Sequence, residues 1–305
     1  MKVVCLSGGV GGAKLARGLQ DTLAPGELTV IGNVGDDVEV LGLHVSPDLD
    51  SLLYALAGLN DEERGWGRAD ESWRTLESAS AWGGEDWFRL GDLDLGLHLV
   101  RTQAMRAGGT LSAVTVSLCK AGRVATRLLP ATDDPLRTFV VTPAGSYSFQ
   151  EWFVARRHED EVDALVYDGA DASRPAPGVL EAIVKADRLV IAPSNPYVSI
   201  GPILAVPGIR EALAARAVPA VAVSPLIGGR AVKGPLDRML LRMAGGTTPA
   251  HVTDCYKGLI DALVIDAADS DARSRAAVPL VVTATLMTDR SAACRLAKTV
   301  LEVAR

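Results

Sequence analysis

A glycine-rich octapeptide and two pairs of aspartates are the residues of this chain best suited to chemistry. Ser7-Gly8-Gly9-Val10-Gly11-Gly12-Ala13-Lys14 lies between a short apolar, β-branched run and a helical pattern. A phosphate held at such a turn needs close backbone approach, which a Cβ would block. The N-terminus of the following helix adds free N–H groups and the positive end of its dipole. Gly8, Gly9, Gly11, Gly12 and Lys14 are therefore the expected phosphate-binding residues, with Arg17 as a further source of charge. The dinucleotide fingerprint is matched only in part, and the P-loop pattern is absent because no Gly-Lys-Ser/Thr follows at the required spacing. Tight packing alone is the competing explanation of these glycines.

Asp36 and Asp37 follow the second apolar run, and Asp48 and Asp50 lie in Ser46-Pro47-Asp48-Leu49-Asp50. Both segments are expected near the carboxyl end of a sheet, where α/β proteins bind ligands. Clustered aspartates beside a diphosphate suit a hard divalent cation such as Mg²⁺, which would neutralise charge on a transferring phosphoryl group. Capping of a loop by Asp36 or Asp37, and of the next helix by Asp48, is the alternative. A further acidic group, Arg89-Leu90-Gly91-Asp92-Leu93-Asp94, precedes the segment carrying His98 and Arg101. Capping by Asp92 accounts for part of it, and a lone His98 reads as structural.

Pro193-Ser194-Asn195-Pro196 ends another apolar run as a stiff turn. Its Ser194 and Asn195 are candidates to bond a nucleotide. Ser224-Pro225-Leu226-Ile227-Gly228-Gly229 repeats that placement after the next run, which suggests one ligand-binding edge. Trp66, Trp73, Trp82 and Trp87 sit close together with many charges. They could stack on a flat aromatic substrate or form the core of a lid.

The elements that must position these residues read as strand, glycine turn, helix, strand, the opening of a doubly wound, mostly parallel Rossmann-like α/β sheet. Strands are expected at Lys2–Leu6, Leu28–Ile31, Ala125–Leu129, Thr138–Thr142, Ser148–Val154, Val162–Tyr167, Arg188–Ala192, Ala220–Val223, Ala262–Asp266 and Val278–Val282. Helices are expected at Val10–Leu23, Leu49–Ala57, Asp92–Arg106, Leu111–Ala121, Pro177–Ala186, Ile209–Arg216 and Arg290–Val303. A single α/β domain over 1–305, with a helical insertion or lid at about 58–122, accommodates them.

The composition fits this class. Of 305 residues, 48% are hydrophobic and 22% charged, which excludes a disordered chain. The formal net charge of −6 argues against a general nucleic-acid surface. Cys5, Cys119, Cys255 and Cys294 are far apart, with no Cys-x-x-Cys pair and no zinc spacing. No apolar run approaches the roughly 18 residues of a membrane span, and the first apolar run is too short for a signal peptide. A cytoplasmic protein is the expectation.

Taken in order, Gly8-Gly9-Val10-Gly11-Gly12-Ala13-Lys14, Asn33-Val34-Gly35-Asp36-Asp37, Ser46-Pro47-Asp48-Leu49-Asp50, Arg64-Gly65-Trp66-Gly67, Leu90-Gly91-Asp92 and Pro193-Ser194-Asn195-Pro196 resemble the 2-phospho-L-lactate transferase family of coenzyme F-420 biosynthesis. The likeness runs from Met1 to Leu286-Met287-Thr288. The resemblance implies an Mg²⁺-dependent transfer. The donor would be guanosine diphosphate linked to lactate, enolpyruvate or a similar three-carbon acid. The acceptor would be the terminal hydroxyl of the deazaflavin Fo, and GMP would leave. It further implies Asp48, Arg89 and Trp66 as Fo contacts. Asp36, Asp37 and Asp50 become metal-binding or hydroxyl-orienting residues, and Ser194 and Asn195 meet the guanosine part. A homodimer would be ordinary. One departure is visible: Leu93 stands where many members carry an arginine. A non-catalytic nucleotide-binding regulator of the same superfamily is the alternative function.

Overall fold

The computed structural model describes residues 1–303. Strand β1 (Val3–Ser7), helix α1 (Gly9–Thr22) and strand β2 (Leu28–Gly32) open the chain. A hairpin of β3 (Val38–Val40) and β4 (Leu43–Val45) leads into α2 (Pro47–Ala57). Helices α3 (Arg74–Ala81), α4 (Asp92–Arg106) and α5 (Leu111–Ala121) precede β5 (Arg127–Pro130). Strands β6 (Arg137–Thr142), β7 (Gly145–Ser148) and β8 (Ala164–Asp168) then form a separate antiparallel sheet. Next come α6 (Val179–Val184), β9 (Arg188–Ile191), α7 (Gly201–Ala205), α8 (Ile209–Ala214) and β10 (Ala220–Val223). The small hairpin of β11 (Leu226–Ile227) and β12 (Arg230–Ala231) precedes α9 (Leu236–Ala244) and α10 (Pro249–Cys255). Strands β13 (Ala262–Asp266) and β14 (Leu280–Thr283) and helix α11 (Arg290–Glu302) complete the fold.

The central sheet has seven strands in the order β5-β2-β1-β9-β10-β13-β14, and every pairing in it is parallel. Parallel strands covered on both faces read as unbroken apolar runs. Val3-Val4-Cys5-Leu6 and Ala220-Val221-Ala222-Val223 are such runs, and all eight residues are buried. Strand order reverses between β1 and β9, which opens a crevice beyond their carboxyl ends. The expected fold class is the one found.

Local expectations fail where short-range propensity competes with packing. Residues 148–154 are not a strand. The chain leaves β7 and makes one wide helical turn at Glu151–Ala155, where the Arg156 amide donates to the Glu151 carbonyl. Phe149, Trp152 and Phe153 have helical spacing, and they pack with Val140, Val162 and Met239 in a second apolar cluster. The strand expected at 162–167 exists as β8, but outside the central sheet, paired antiparallel with β6. Its burial alternates as a one-faced strand requires. The Trp66 segment is not helical either: Gly65 and Gly67 take left-handed φ values of 73° and 70°, and an antiparallel bridge joins Asn60 to Arg68.

Helix α1 is held against α11 through Gly18, where a Cβ would stand 2.4 Å from the Ala293 carbonyl oxygen. That oxygen is fixed in a helix backbone, so Gly18→Ala must push the two helices apart. The expected loss is about 1–3 kcal/mol, read as a lower urea midpoint.

Candidate functional site

A cavity of about 600 Å³ lies at the carboxyl ends of the central strands. Segments following β1, β2, β9, β10 and β14 all reach it, as do α2 and the 65–67 and 88–90 segments. The expected phosphate, aspartate, guanosine and Fo residues line it except Gly12 and Asp37, and Arg17, offered as extra charge, lies off it, bound to Asp21 and the Ala55 carbonyl.

The glycine turn is built first by packing. A Cβ on Gly12 would stand 2.3 Å from Ser7 Oγ and 2.5 Å from Ser194 Oγ. One on Gly11 would meet the Pro193 carbonyl at 2.8 Å, and one on Gly8 would meet Asp48 Oδ2 at 2.3 Å. Gly9 differs: its φ is 64°, and a Cβ there would find nothing nearer than 3.8 Å. Ser194 ties the β1 and β9 turns together, donating to the Gly8 carbonyl at 2.7 Å and accepting from the Gly8 amide at 3.2 Å. Asn195 accepts from the Tyr197 and Val198 amides and so caps the wide turn Pro196–Ile200. Lys14 does not point outward. Its ammonium donates to the Met287 carbonyl at 2.9 Å across the cavity wall.

The N-terminus of α1 is partly occupied by the protein itself. The Gly9 amide donates to Asp48 Oδ1 at 2.6 Å. Val10 and Gly11, both on the cavity wall, keep amides that have no acceptor within the helix.

The four aspartates do not converge on one point. Asp50 pairs with Arg101, whose Nη1 lies 3.0 Å from Oδ2 and whose Nη2 contacts Oδ1; His98 Nδ1 is 3.7 Å away. Burial alone would raise the Asp50 carboxyl, but Arg101 and His98 outweigh it and hold it below the usual carboxylate range. Asp37 Oδ2 accepts from Ser46 Oγ at 2.8 Å and meets His44 Nε2 at 2.9 Å. Asp36 and Asp48 are different. Asn33 Nδ2 bridges them, at 2.8 Å from Asp36 Oδ1 and 3.0 Å from Asp48 Oδ2. Gln150 approaches Asp36 Oδ2 at 3.3 Å. Among the described residues no cation lies within ion-pair distance of either carboxylate. Burial, followed by repulsion from Asp48 and Asp37, pushes Asp36 well above its ordinary value. Burial raises Asp48 to about 6 against its hydrogen bonds from Asn33 and Gly9.

Among the described residues no three His, Cys, Asp or Glu side chains are disposed to hold a metal ion. The expected set of Asp36, Asp37 and Asp50 is not assembled, because Arg101 already neutralises Asp50 and His44 and Ser46 engage Asp37. The donor set that fits a hard cation is the pair Asp36 and Asp48. Mg²⁺ is commonly held by one or two carboxylates completed by substrate phosphate oxygens.

Trp66, Phe88, Arg89, Phe149 and Phe153 give the cavity aromatic and cationic lining, and Arg64 and Trp73 lie against it. The Arg64 guanidinium lies 5.2 Å from both the Trp66 and Trp73 ring centres, and Arg89 lies 4.6 Å over Trp73. Phe149 and Phe153 stack at 5.3 Å with 21° between their planes, and both line the cavity. Asp92 caps α3, accepting from the Thr75 amide at 3.0 Å. The α4 start is capped instead by Glu71, which accepts the Leu93 and Asp94 amides at 2.8 Å each. Leu93 is 38% exposed and off the cavity wall, so its departure from arginine does not alter the site's lining. Asn33, Gln150 and the Asp50–Arg101 pair were not anticipated as parts of the site. Asn33 had a signal, since it is the first polar residue beyond an apolar strand run.

The model of the family described as 2-phospho-L-lactate transferase CofD matches residues 3–302. A phosphoenolpyruvate transferase of Streptomyces coelicolor is 45% identical, covering 100% of this chain and 98% of that protein. One from Streptomyces griseus is 46% identical at the same coverage. One from Mycolicibacterium smegmatis is 40% identical, covering 100% and 99%. Two crystal structures of a Bacillus halodurans protein of the UPF0052 family share the fold, with TM-scores of 0.65 and 0.64 at 19% and 20% identity. Each covers 99% of this chain, and 99% and 100% of the respective neighbour. A family match from end to end, with relatives this similar over nearly their full lengths, makes the chain a member of the 2-phospho-L-lactate transferase (CofD) family of coenzyme F-420 biosynthesis.

Proposed function

We propose that the protein moves a phospho-three-carbon-acid group from a guanosine diphosphate-linked donor to the terminal hydroxyl of the deazaflavin Fo. The hydroxyl oxygen forms a new bond to the phosphorus that carries the three-carbon acid. The anhydride bond between the two phosphorus atoms breaks, and GMP leaves. The names of the relatives favour phosphoenolpyruvate over 2-phospho-L-lactate as the group carried.

The observation that carries this reading is the Asp36–Asp48 pair, without an ion-pair partner among the described residues, beside the α1 N-terminus in one cavity with aromatic lining. Phosphate oxygens fit the Val10 and Gly11 amides, where the helix dipole favours negative charge. Asp36 and Asp48 would hold Mg²⁺, which when bound supplies positive charge against the phosphates. Asn33 fixes the two carboxylates relative to each other. Ser194 holds the β1 and β9 turns in register, so the phosphate site and the Asn195 turn keep one geometry. Asp50 and Asp37 become scaffold residues: Asp50 anchors the first turn of α2, which carries Asp48, and Asp37 anchors Ser46 just before it. Phe149, Phe153 and Trp66 supply flat apolar surface for the deazaflavin ring.

Mass spectrometry tests the reading directly. Protein, Fo, Mg²⁺ and the guanylated phosphoenolpyruvate donor should give Fo enlarged by one phosphoenolpyruvyl group, with one GMP per product. Unchanged Fo beside tightly bound guanine nucleotide would overturn transfer and support a nucleotide-binding regulator.

A further inference from the structure

Three cationic side chains, apart from His98, line the cavity: Lys14, Arg89 and Lys233. None of them has a carboxylate within ion-pair distance among the described residues. Lys14 is held by a carbonyl and Arg89 by an indole face, as described above. Lys233 is in neither of the segments that the proposed reaction uses. It follows β12 and stands at the rim, exposed, in Val232-Lys233-Gly234.

Its ammonium donates to the carbonyl of Gly65, another lining residue, at 3.1 Å in an exposed bond. Gly65 accommodates it: the residue has φ 73°, and a Cβ there would stand 2.3 Å from Lys233 Nζ. The bond thus joins the Trp66 segment to the 232–235 segment, both on the cavity lining. A single exposed ammonium-to-carbonyl bond is weak, because water competes for both partners. An anion entering beneath it offers the ammonium a charge-assisted bond, which is shorter and about twice as strong.

We propose that Lys233 is a donor-binding residue, which exchanges the Gly65 carbonyl for the anionic groups of the incoming donor. This rests on the proposed transfer reaction and adds a residue to it. The chemistry recognised is that of phosphate or carboxylate oxygen, and the donor has both, in its diphosphate and in its three-carbon acid. Lys233 shares the cavity lining with Lys14 and with Val10 and Gly11 of the α1 N-terminus. Two clamps on one polyanion would orient its phosphorus toward the acceptor hydroxyl.

The test compares Lys233→Gln, Lys233→Met and Lys233→Arg in the full-length protein. Glutamine keeps an N–H donor for Gly65 but removes the charge. If Lys233 binds the donor, Lys233→Gln should raise the donor KM about tenfold or more, as losing one charge-assisted hydrogen bond requires. Lys233→Met should match it, Lys233→Arg should recover most of the loss, and the Fo KM should change little. GDP affinity, measured by calorimetry without turnover, separates the two groups. A parallel fall in GDP affinity places Lys233 on the diphosphate, and an unchanged value places it on the acid. The inference is overturned if Lys233→Gln keeps the donor KM and GDP affinity within twofold of the parent, or if only the Fo KM moves. Turnover by the parent with an indifferent Lys233→Gln removes only this assignment. A parent protein that neither turns over nor binds GDP removes the transfer reading with it.

Discussion

Asp36→Asn is expected to lower transfer by about 10³-fold while making the ligand-free protein more stable. Asp36 and Asp48 are buried carboxylates that share the amide of Asn33 and, among the described residues, have no cation within ion-pair distance; Arg137 opposes the rise of Asp36 only as its smallest influence. Their pKa values are raised, so the unfolded chain ionises more readily than the folded one. The sign follows: the pair does no harm below the unfolded value near 3.8. It destabilises progressively as pH rises toward the folded value, about 6 for Asp48. Asp36 itself is raised first by burial and then by repulsion from Asp48 and Asp37, so the cost it carries when ionised is relieved by a neutral side chain. Asparagine at 36 removes the repulsion, and Gln150 can turn its amide to suit the new side chain. Part of the gain is lost with rearranged hydrogen bonds, which leaves about 1–2 kcal/mol.

Activity falls for the same reason that stability rises, because the uncompensated charge is what holds the cation. Thermal denaturation in chelator should show the variant above the parent at pH 7.5, with the difference closing by pH 4. Added Mg²⁺ should then raise the parent's midpoint, through binding to the native state, and leave the variant unmoved. Equal responses to Mg²⁺ would remove Asp36 from the cation site, whatever happens to the rate.

The parts of this architecture legible in the sequence were those with one cause. Val3–Leu6 and Ala220–Val223 are apolar because both faces of a parallel strand are covered, so the central sheet can be read from runs alone. The glycine turn was visible because Gly11 and Gly12 leave room for Ser7 and for the Pro193-Ser194 turn that follows β9. Elements with competing causes were not legible. Phe149, Trp152 and Phe153 favour strand by residue type but occupy one side of a helical turn by spacing. Val38–Val40 and Leu43–Val45 are three-residue strands, too short for alternation to register. Helix α9 has Leu236, Met239 and Leu240 buried at helical spacing, a signal that could have found it.

Site chemistry was legible as residue types but not as partnerships. Four aspartates near one sheet edge suggested a metal cluster, yet two of them are committed to other partners. What commits Asp50 is Arg101, 51 residues further along the chain. No local pattern announces that pairing, because α2 and α4 meet only in the folded protein. That Asp50 is engaged by Arg101 therefore lies beyond the range of a local reading. Asp48 shows the converse: its place in the first turn of α2 suggests a cap for that helix, whereas its carboxylate caps α1.

Arg101→Met should therefore be severe, at about 3–5 kcal/mol. The methionine fills much of the volume, but Asp50 keeps its charge in a buried site with only His98 nearby, and burial holds that imidazole below its ordinary value. In the parent, Asp50 titrates below the unfolded value of 3.8, so its contribution is fully present above that pH and disappears only below it. In the variant the sign reverses. Burial raises the Asp50 carboxyl, the penalty is largest when it is ionised, and acid relieves it by protonation. The stability difference between parent and variant should accordingly be wide at pH 7.5 and narrower at pH 5. Asp36 and Asp48 titrate in both proteins and cancel in the comparison. Adding Asp50→Asn to Arg101→Met should restore most of the loss at pH 7.5, since asparagine can still accept the Ser46 amide that Asp50 accepts at 3.2 Å. Urea denaturation of the parent and the two variants across that pH range measures each of these effects. A penalty that neither narrows with acid nor is relieved by the second substitution would mean that Arg101 holds α2 against α4 by shape, not charge.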